Sequence, residues 1–282
     1  MAGYLSESIK NSIDGQVDLV LRETSIVTPP VNYNIISSSQ GLNYNLFTEQ
    51  DPYYDDFAKQ IGKKEAEKLR GVLLVEDKHI FLKNESYSKR LNFGFGHELA
   101  HWHLEWHRQL LYYCSEFDLS LKARKQLERE ANYFASRLGF MNGLFNQHVA
   151  DSDLSIRNIK YLSDTYDMSV ESCLRCAVDN EARSCALIVM DWSKNDKGYE
   201  FKVNYILYSR TFKEECGLIS RTQSFGPEHE MTKIMNTFLG MMTGEYTFET
   251  TLGDSNSSSK SKEIIIEVWR NNYKAFALVK PK

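Results

Sequence analysis

The run Gly96-His97-Glu98-Leu99-Ala100-His101-Trp102-His103 constrains this chain more than any other stretch. Two histidines four residues apart stand one helical turn apart, so on an α-helix both imidazoles leave the same face and can hold one zinc ion. Glu98, beside the first of them, is placed to take a proton from an attacking water. With 7 histidines in 282 residues, chance supplies this pattern on the order of 0.01 times per chain, so coincidence is a poor explanation. The surroundings agree. Phe93 to about Leu111 carries a helical period, and two strand-like runs precede it, Gly71–Val75 and His79–Lys83, separated by the turn-like Glu76-Asp77-Lys78.

Two histidines and a glutamate do not complete a catalytic zinc site, which takes a third protein ligand and keeps one position open. His107 has the spacing of a metzincin's third histidine, but Leu104 stands where a glycine would turn the chain. Leu104 favours a continuing helix, which points His107 away from the His97/His101 face and predicts a solvated or hydrogen-bonded surface histidine. The second source is the helical segment Leu119–Leu138, where Leu127, Ala131, Phe134, Ala135 and Leu138 form one apolar stripe. Glu128 borders that stripe on the side of Ala131 and Ala135, where another helix can approach closely. Glu130 borders it on the bulky side. Periodicity leans toward Glu128 without deciding between them, and Asn132 is placed to hydrogen-bond a ligating histidine.

Length suggests about two domains. Lys plus Arg number 34 and Asp plus Glu 38, a net charge of −4, which argues against a protein gripping nucleic acid over a broad basic surface. The longest apolar runs are strand-sized, so no membrane span is expected. The N-terminus lacks the basic start and apolar stretch of a secretory signal, and five scattered cysteines suit a reduced cytoplasm. Residues 1–70 read as mostly helical with loops, including a helix through Asp18–Arg22 that Pro29-Pro30 ends and a helical or irregular Tyr54–Leu69. Beyond 180 the character changes: Cys185–Trp192, Glu200–Tyr208, Glu263–Arg270 and Tyr273–Val279 read as strands, 227–239 as a helix and 253–262 as a polar loop. The expected fold class is α+β. A mostly helical, zincin-like metallopeptidase domain with a small β-sheet spans 1–180, and an α+β domain that senses a signal or presents substrate spans 181–282.

Taken together, Thr28-Pro-Pro-Val31, Gly71–Val75, His79–Leu82, Ser88-Lys-Arg90 through His101, and Glu128-Arg-Glu-Ala131-Asn132-Tyr-Phe134-Ala135 resemble the ImmA/IrrE family of zinc metallopeptidases over roughly residues 20–180. The resemblance implies zinc on His97, His101 and Glu128, with Glu98 as general base. It implies a protein substrate, a helix-turn-helix repressor whose cleavage relieves repression. The family's Leu-Leu-Met-Pro after the third-ligand helix is here Leu138-Gly139-Phe140-Met141. His79–Lys83 is expected to offer an edge for an extended substrate, and Tyr133, His103 and Arg90 compete as oxyanion donors.

The segment 154–178 looks like a helix-turn-helix, yet residues 151–180 carry six acidic and three basic side chains. A structural helical hairpin, with no direct nucleic-acid contact, is expected. Cys173-Leu-Arg-Cys176 reads as helix cysteines, and Trp102, Trp106, Tyr112 and Tyr113 as core or interface. The competing function is a non-catalytic regulator with structural zinc, closed by His103 or a cysteine as fourth ligand.

Overall fold

The computed structural model describes residues 5–66, 70–85, 87–113, 120–195, 198–219, 224–225, 246–252 and 262–282. It is a mixed α+β molecule whose described residues group into two compact units, Met1–Phe145 with Ser163–Ser169, and Asn146–Leu162 with Val170–Lys282. The helical segments 146–162 and 170–180 thus group with the C-terminal strands, not with the helices before them.

The first unit opens with α1 (Glu7–Glu23), begun by Ser6, whose hydroxyl accepts from the Ile9 amide at 3.3 Å. α2 (Tyr33–Ser39) is capped by Asn32 in the same way. β1 (Asn43–Phe47) follows, a strand within the stretch expected to be mostly helical with loops. The helix expected over Tyr54–Leu69 is two pieces, α3 (Pro52–Ile61) and α4 (Lys63–Ala66), split at Gly62, whose φ of 86° suits glycine. β2 (Gly71–Leu74) and β3 (His79–Lys83) form the expected antiparallel hairpin. β1 pairs with β3 in parallel, so the sheet order is β1-β3-β2. This corrects the expectation for His79–Lys83: β3 is the central strand, its ladder groups taken on both sides, and the edges are β1 and β2.

A second correction concerns the motif helix. The segment 93–111 is broken into α5 (Ser88–His103) and α6 (Glu105–Tyr113) at Leu104, whose backbone is extended (φ −79°, ψ 100°). The Leu104 side chain is fully buried. Burying a leucine is worth about 1.5–3 kcal/mol, more than the few tenths by which propensity favours continuing the helix, so the chain turns without glycine. α7 (Leu121–Gly139) is capped by Ser120, which accepts from the Ala123 amide at 3.2 Å. Its stripe of Leu127, Ala131, Phe134, Ala135 and Leu138 is buried as expected. α7 packs on α5 where Gly96 meets Ala135; a Cβ on Gly96 would stand 3.4 Å from Ala135 Cα and 3.2 Å from Tyr33 Cε1. Small residues at the crossing set the helix separation that the site depends on.

The chain continues through α8 (Leu144–Ala150), α9 (Ile156–Thr165) and α10 (Val170–Asn180). Then come β4 (Ala186–Asn195), β5 (Gly198–Tyr208), α11 (Arg210–Cys216), β6 (Ser224–Phe225), β7 (Tyr246–Leu252), β8 (Lys262–Arg270) and β9 (Lys274–Pro281). These strands make one antiparallel sheet, ordered β6-β5-β4-β9-β8-β7. One core cluster takes Ile188, Met190, Phe201, Ile206, Ile266 and Val268 from the sheet with Phe212 of α11. α10 packs on β4 and β5. Its Glu171 accepts from Tyr205 Oη at 2.7 Å and from Lys274 Nζ at 2.9 Å. Cys173 is buried on the same helix, and Cys176 donates to Asn146 Oδ1 at 3.4 Å. The helix expected over 227–239 and the loop over 253–261 lie outside the described residues. No helix among the described residues is long and apolar enough to cross a membrane.

Candidate metal centre

On α5, His97 and His101 present their Nε2 atoms 3.3 Å apart. From α7, Glu128 brings Oε2 to 3.3 Å from His97 Nε2 and Oε1 to 3.8 Å from His101 Nε2. Three donors placed tetrahedrally at about 2.0–2.1 Å from one small divalent ion stand roughly 3.3–3.4 Å from each other. The two imidazole nitrogens and the Glu128 carboxylate, whose two oxygens face one nitrogen each, lie close enough together to hold a metal ion that takes nitrogen and oxygen ligands, and these three residues form such a group among the described residues. Glu128, not Glu130, is the carboxylate that arrives, because Ala131 and Ala135 let α7 approach α5 on that side.

The donors are held from behind. His97 donates Nδ1–H to Asn132 Oδ1 at 3.1 Å, the role its spacing suggested. Burial alone would depress the His97 pKa, but the Glu128 contact, the Glu98 and Glu128 charges and Asn132 together lift it above the ordinary 6.5. His101 goes the other way: burial, then the neighbouring His97 and His107, push it down to about 3. Burial raises Glu128, yet its contact with His97 and the charges of the three histidines outweigh that and hold its carboxyl below the usual range.

Glu98 is buried, with 6% of its surface exposed, and shares a cleft of about 430 Å³ with the three donors. The wall opposite α5 is β2. A Cβ placed on Gly71 would stand 2.5 Å from Glu98 Oε1 and 2.9 Å from its Cδ, closer than real carbon contacts come. Gly71 therefore makes room for the Glu98 carboxylate, a requirement sequence reading missed. The one signal was a glycine at the head of a strand, which marks a close approach as often as a weak start. At the cleft mouth Glu85 holds both Arg70 and Arg90. Of the three residues weighed as oxyanion donors, Arg90 lines this cleft. Tyr133 instead donates to Asp14 Oδ2 at 3.3 Å, and His103 stacks on Phe134.

His107 is the largest surprise. Sequence reading made it a surface histidine; it is fully buried. The break at Leu104 swings α6 back, so His107 Nδ1 lies 3.0 Å from His101 Nδ1, on the side away from the donor triangle. Its Nε2 lies 2.9 Å from Glu130 Oε2, which also accepts from Trp106 Nε1 at 2.7 Å. Glu130, read as a stripe-border glutamate, is 3% exposed. Among the described residues neither His103 nor a cysteine joins the donor group.

Residues 53–175 match the family described as "IrrE N-terminal-like domain", Peptidase_M78. No curated protein matches the chain. Among solved structures it is similar to a Mycobacterium tuberculosis transcriptional regulator at 11% identity, with a TM-score of 0.52, covering 96% of this chain and 76% of that one. This likeness is one of fold. The matched stretch holds the three donor residues, Glu98 and the strand beside them, so the likeness to the IrrE N-terminal-like (Peptidase_M78) family falls on the residues that build the site.

Proposed function

We propose that this chain is a zinc-dependent endopeptidase, with zinc on His97, His101 and Glu128 and Glu98 as general base. The observation that carries the reading is the cluster of two imidazole nitrogens 3.3 Å apart and the Glu128 carboxylate, whose Oε2 lies 3.3 Å from His97 and Oε1 3.8 Å from His101, set in a cleft beside a buried glutamate. Zinc, when bound, supplies Lewis-acid polarisation of the scissile carbonyl and acidifies the attacking water. Glu98, pressed against the Gly71 backbone, takes the proton from that water and delivers it to the leaving amine. β2, an edge strand of its sheet and the cleft's wall, offers backbone groups to an extended substrate segment, the role first expected of His79–Lys83. Asn132 and Glu128 between them keep His97 in register.

The substrate in this reading is a helix-turn-helix repressor, relieved by cleavage, as the family resemblance implies. The competing function, a binding module with structural zinc, needs a fourth protein ligand. Among the described residues, His103 and the cysteines Cys173, Cys176, Cys185 and Cys216 are outside the donor group. The test uses the zinc-loaded protein, a candidate repressor and mass-spectrometric detection of fragments. Glu98→Gln should keep its zinc and its fold while hydrolysis falls about 10²- to 10⁴-fold, the usual contribution of a general base. Unchanged cleavage by Glu98→Gln would remove Glu98 from the mechanism.

A further inference from the structure

We infer that the buried pair His107–Glu130 positions the ligand His101, fixing which of its nitrogens carries the proton and leaving Nε2 bare toward the metal. The inference rests on the metal-site reading above and goes a layer deeper than it.

Glu130 is 3% exposed and His107 fully buried, an expensive placement that a pair of apolar side chains would fill without cost. Donors surround the carboxylate: Trp106 Nε1 at 2.7 Å and His107 Nε2 at 2.9 Å on Oε2, and Gln126 Nε2 at 2.6 Å on Oε1. Trp106 and Gln126 can only donate here, so both carboxylate oxygens of Glu130 accept. On the metal-site reading His101 offers the Nε2 lone pair to the ion, so its proton sits on Nδ1. His107 Nδ1, 3.0 Å away, accepts that proton's hydrogen bond, and His107 therefore carries its own proton on Nε2, 2.9 Å from Glu130 Oε2. One tautomer of His101 satisfies this chain, with Nδ1 protonated and the lone pair on Nε2, the atom 3.3 Å from His97 Nε2 and 3.8 Å from Glu128 Oε1. The two histidine ligands are thus oriented by different means, His97 by the amide of Asn132 and His101 by a neutral imidazole backed by a buried carboxylate. The charge on Glu130, relayed through two rings, makes His101 a stronger ligand as well as a better-aimed one.

The test compares zinc affinity, by competition with a chromophoric chelator, in wild type, His107→Leu and His107→Gln. Leucine fills the space and ends the relay. Glutamine keeps an acceptor for His101 and a donor for Glu130. His107→Leu should bind zinc about 10- to 100-fold more weakly, with the visible bands of the cobalt-substituted protein shifted, and His107→Gln should recover most of the loss. A role in packing alone would lower the melting temperature of the zinc-free protein and leave the affinity of the folded protein and the cobalt spectrum unchanged; that result would overturn the inference. Nitrogen-15 spectra of the wild-type imidazoles decide the matter even if His107→Leu fails to fold. The proton should sit on Nδ1 of His101 and Nε2 of His107, with and without zinc, and the reverse assignment overturns the relay. Wild type that binds no zinc overturns the metal-site reading and this inference with it, whereas wild-type binding with an unaffected His107→Leu overturns this inference alone.

Discussion

At the scale of single residues, the site turns on close approaches. Gly71 is the sharpest case, because adding one carbon there puts it 2.5 Å from the Glu98 carboxylate. The flanking strand cannot yield easily, since Gly71 pairs with Leu82 of the central strand. The Glu98 side chain must move instead. Gly71→Ala should therefore retain zinc at the wild-type stoichiometry while kcat falls roughly 10²-fold, the cost of an ångström's misplacement of a reacting group. Wild-type kcat in a folded Gly71→Ala protein would show that Glu98 does not act from this position. The motif histidines were readable in advance because a helical period is a geometric statement that says which side chains share a face; for Glu128 it gave only a leaning, and the family resemblance supplied the rest. His107, Glu130 and Gly71 were not, because what they do depends on which other segment arrives beside them.

At the scale of elements, two features decide the site. The first is the break at Leu104. Local preference there favours helix, but a fully buried leucine overrides it, and the turn that results brings His107 behind His101. The second is the α5–α7 crossing, where Gly96 and Ala135 meet and bring Glu128 to the histidines. Ala135→Leu would overpack this crossing and should cost about 1–3 kcal/mol in denaturant midpoints, with zinc affinity falling alongside as Glu128 is levered away. A destabilised protein with undiminished zinc affinity would mean that helix spacing does not set the ligand geometry. The small sheet shows the converse lesson. β1 was missed because its alternation is only five residues long and is built on two asparagines, which strands disfavour, and with β1 unseen β3 looked like an edge.

At the scale of the whole chain, helical and strand regions in sequence are not the same as packed units. The change of character near residue 180 is real in secondary structure, yet α10 packs on β4 and β5, and its Glu171 meets Tyr205 and Lys274 from the sheet. Lys280 of β9 likewise donates to the Leu154 carbonyl at 2.7 Å. A chain ended after Asn180 would strip this cover from Leu174, Ala177 and Val178, all buried on α10. It should be recovered mostly as aggregate, and a soluble, monomeric 1–180 fragment with a wild-type melting temperature would show that the helices do not need the sheet. Patterns of charge and period reported each element's class; the grouping came from which strands α10 packs on, β4 and β5, and from polar contacts such as Glu171–Lys274 that join residues over a hundred positions apart.

The most direct check on the central claim is zinc per chain by elemental analysis, in wild type and Glu128→Ala purified and reloaded side by side, with circular dichroism to confirm the fold. About one zinc in wild type and nearly none in folded Glu128→Ala is expected of three donors, two from α5 and one from α7, closing on one ion. A folded wild type that takes up no zinc, or a Glu128→Ala protein that holds it as well as wild type, would contradict the site itself.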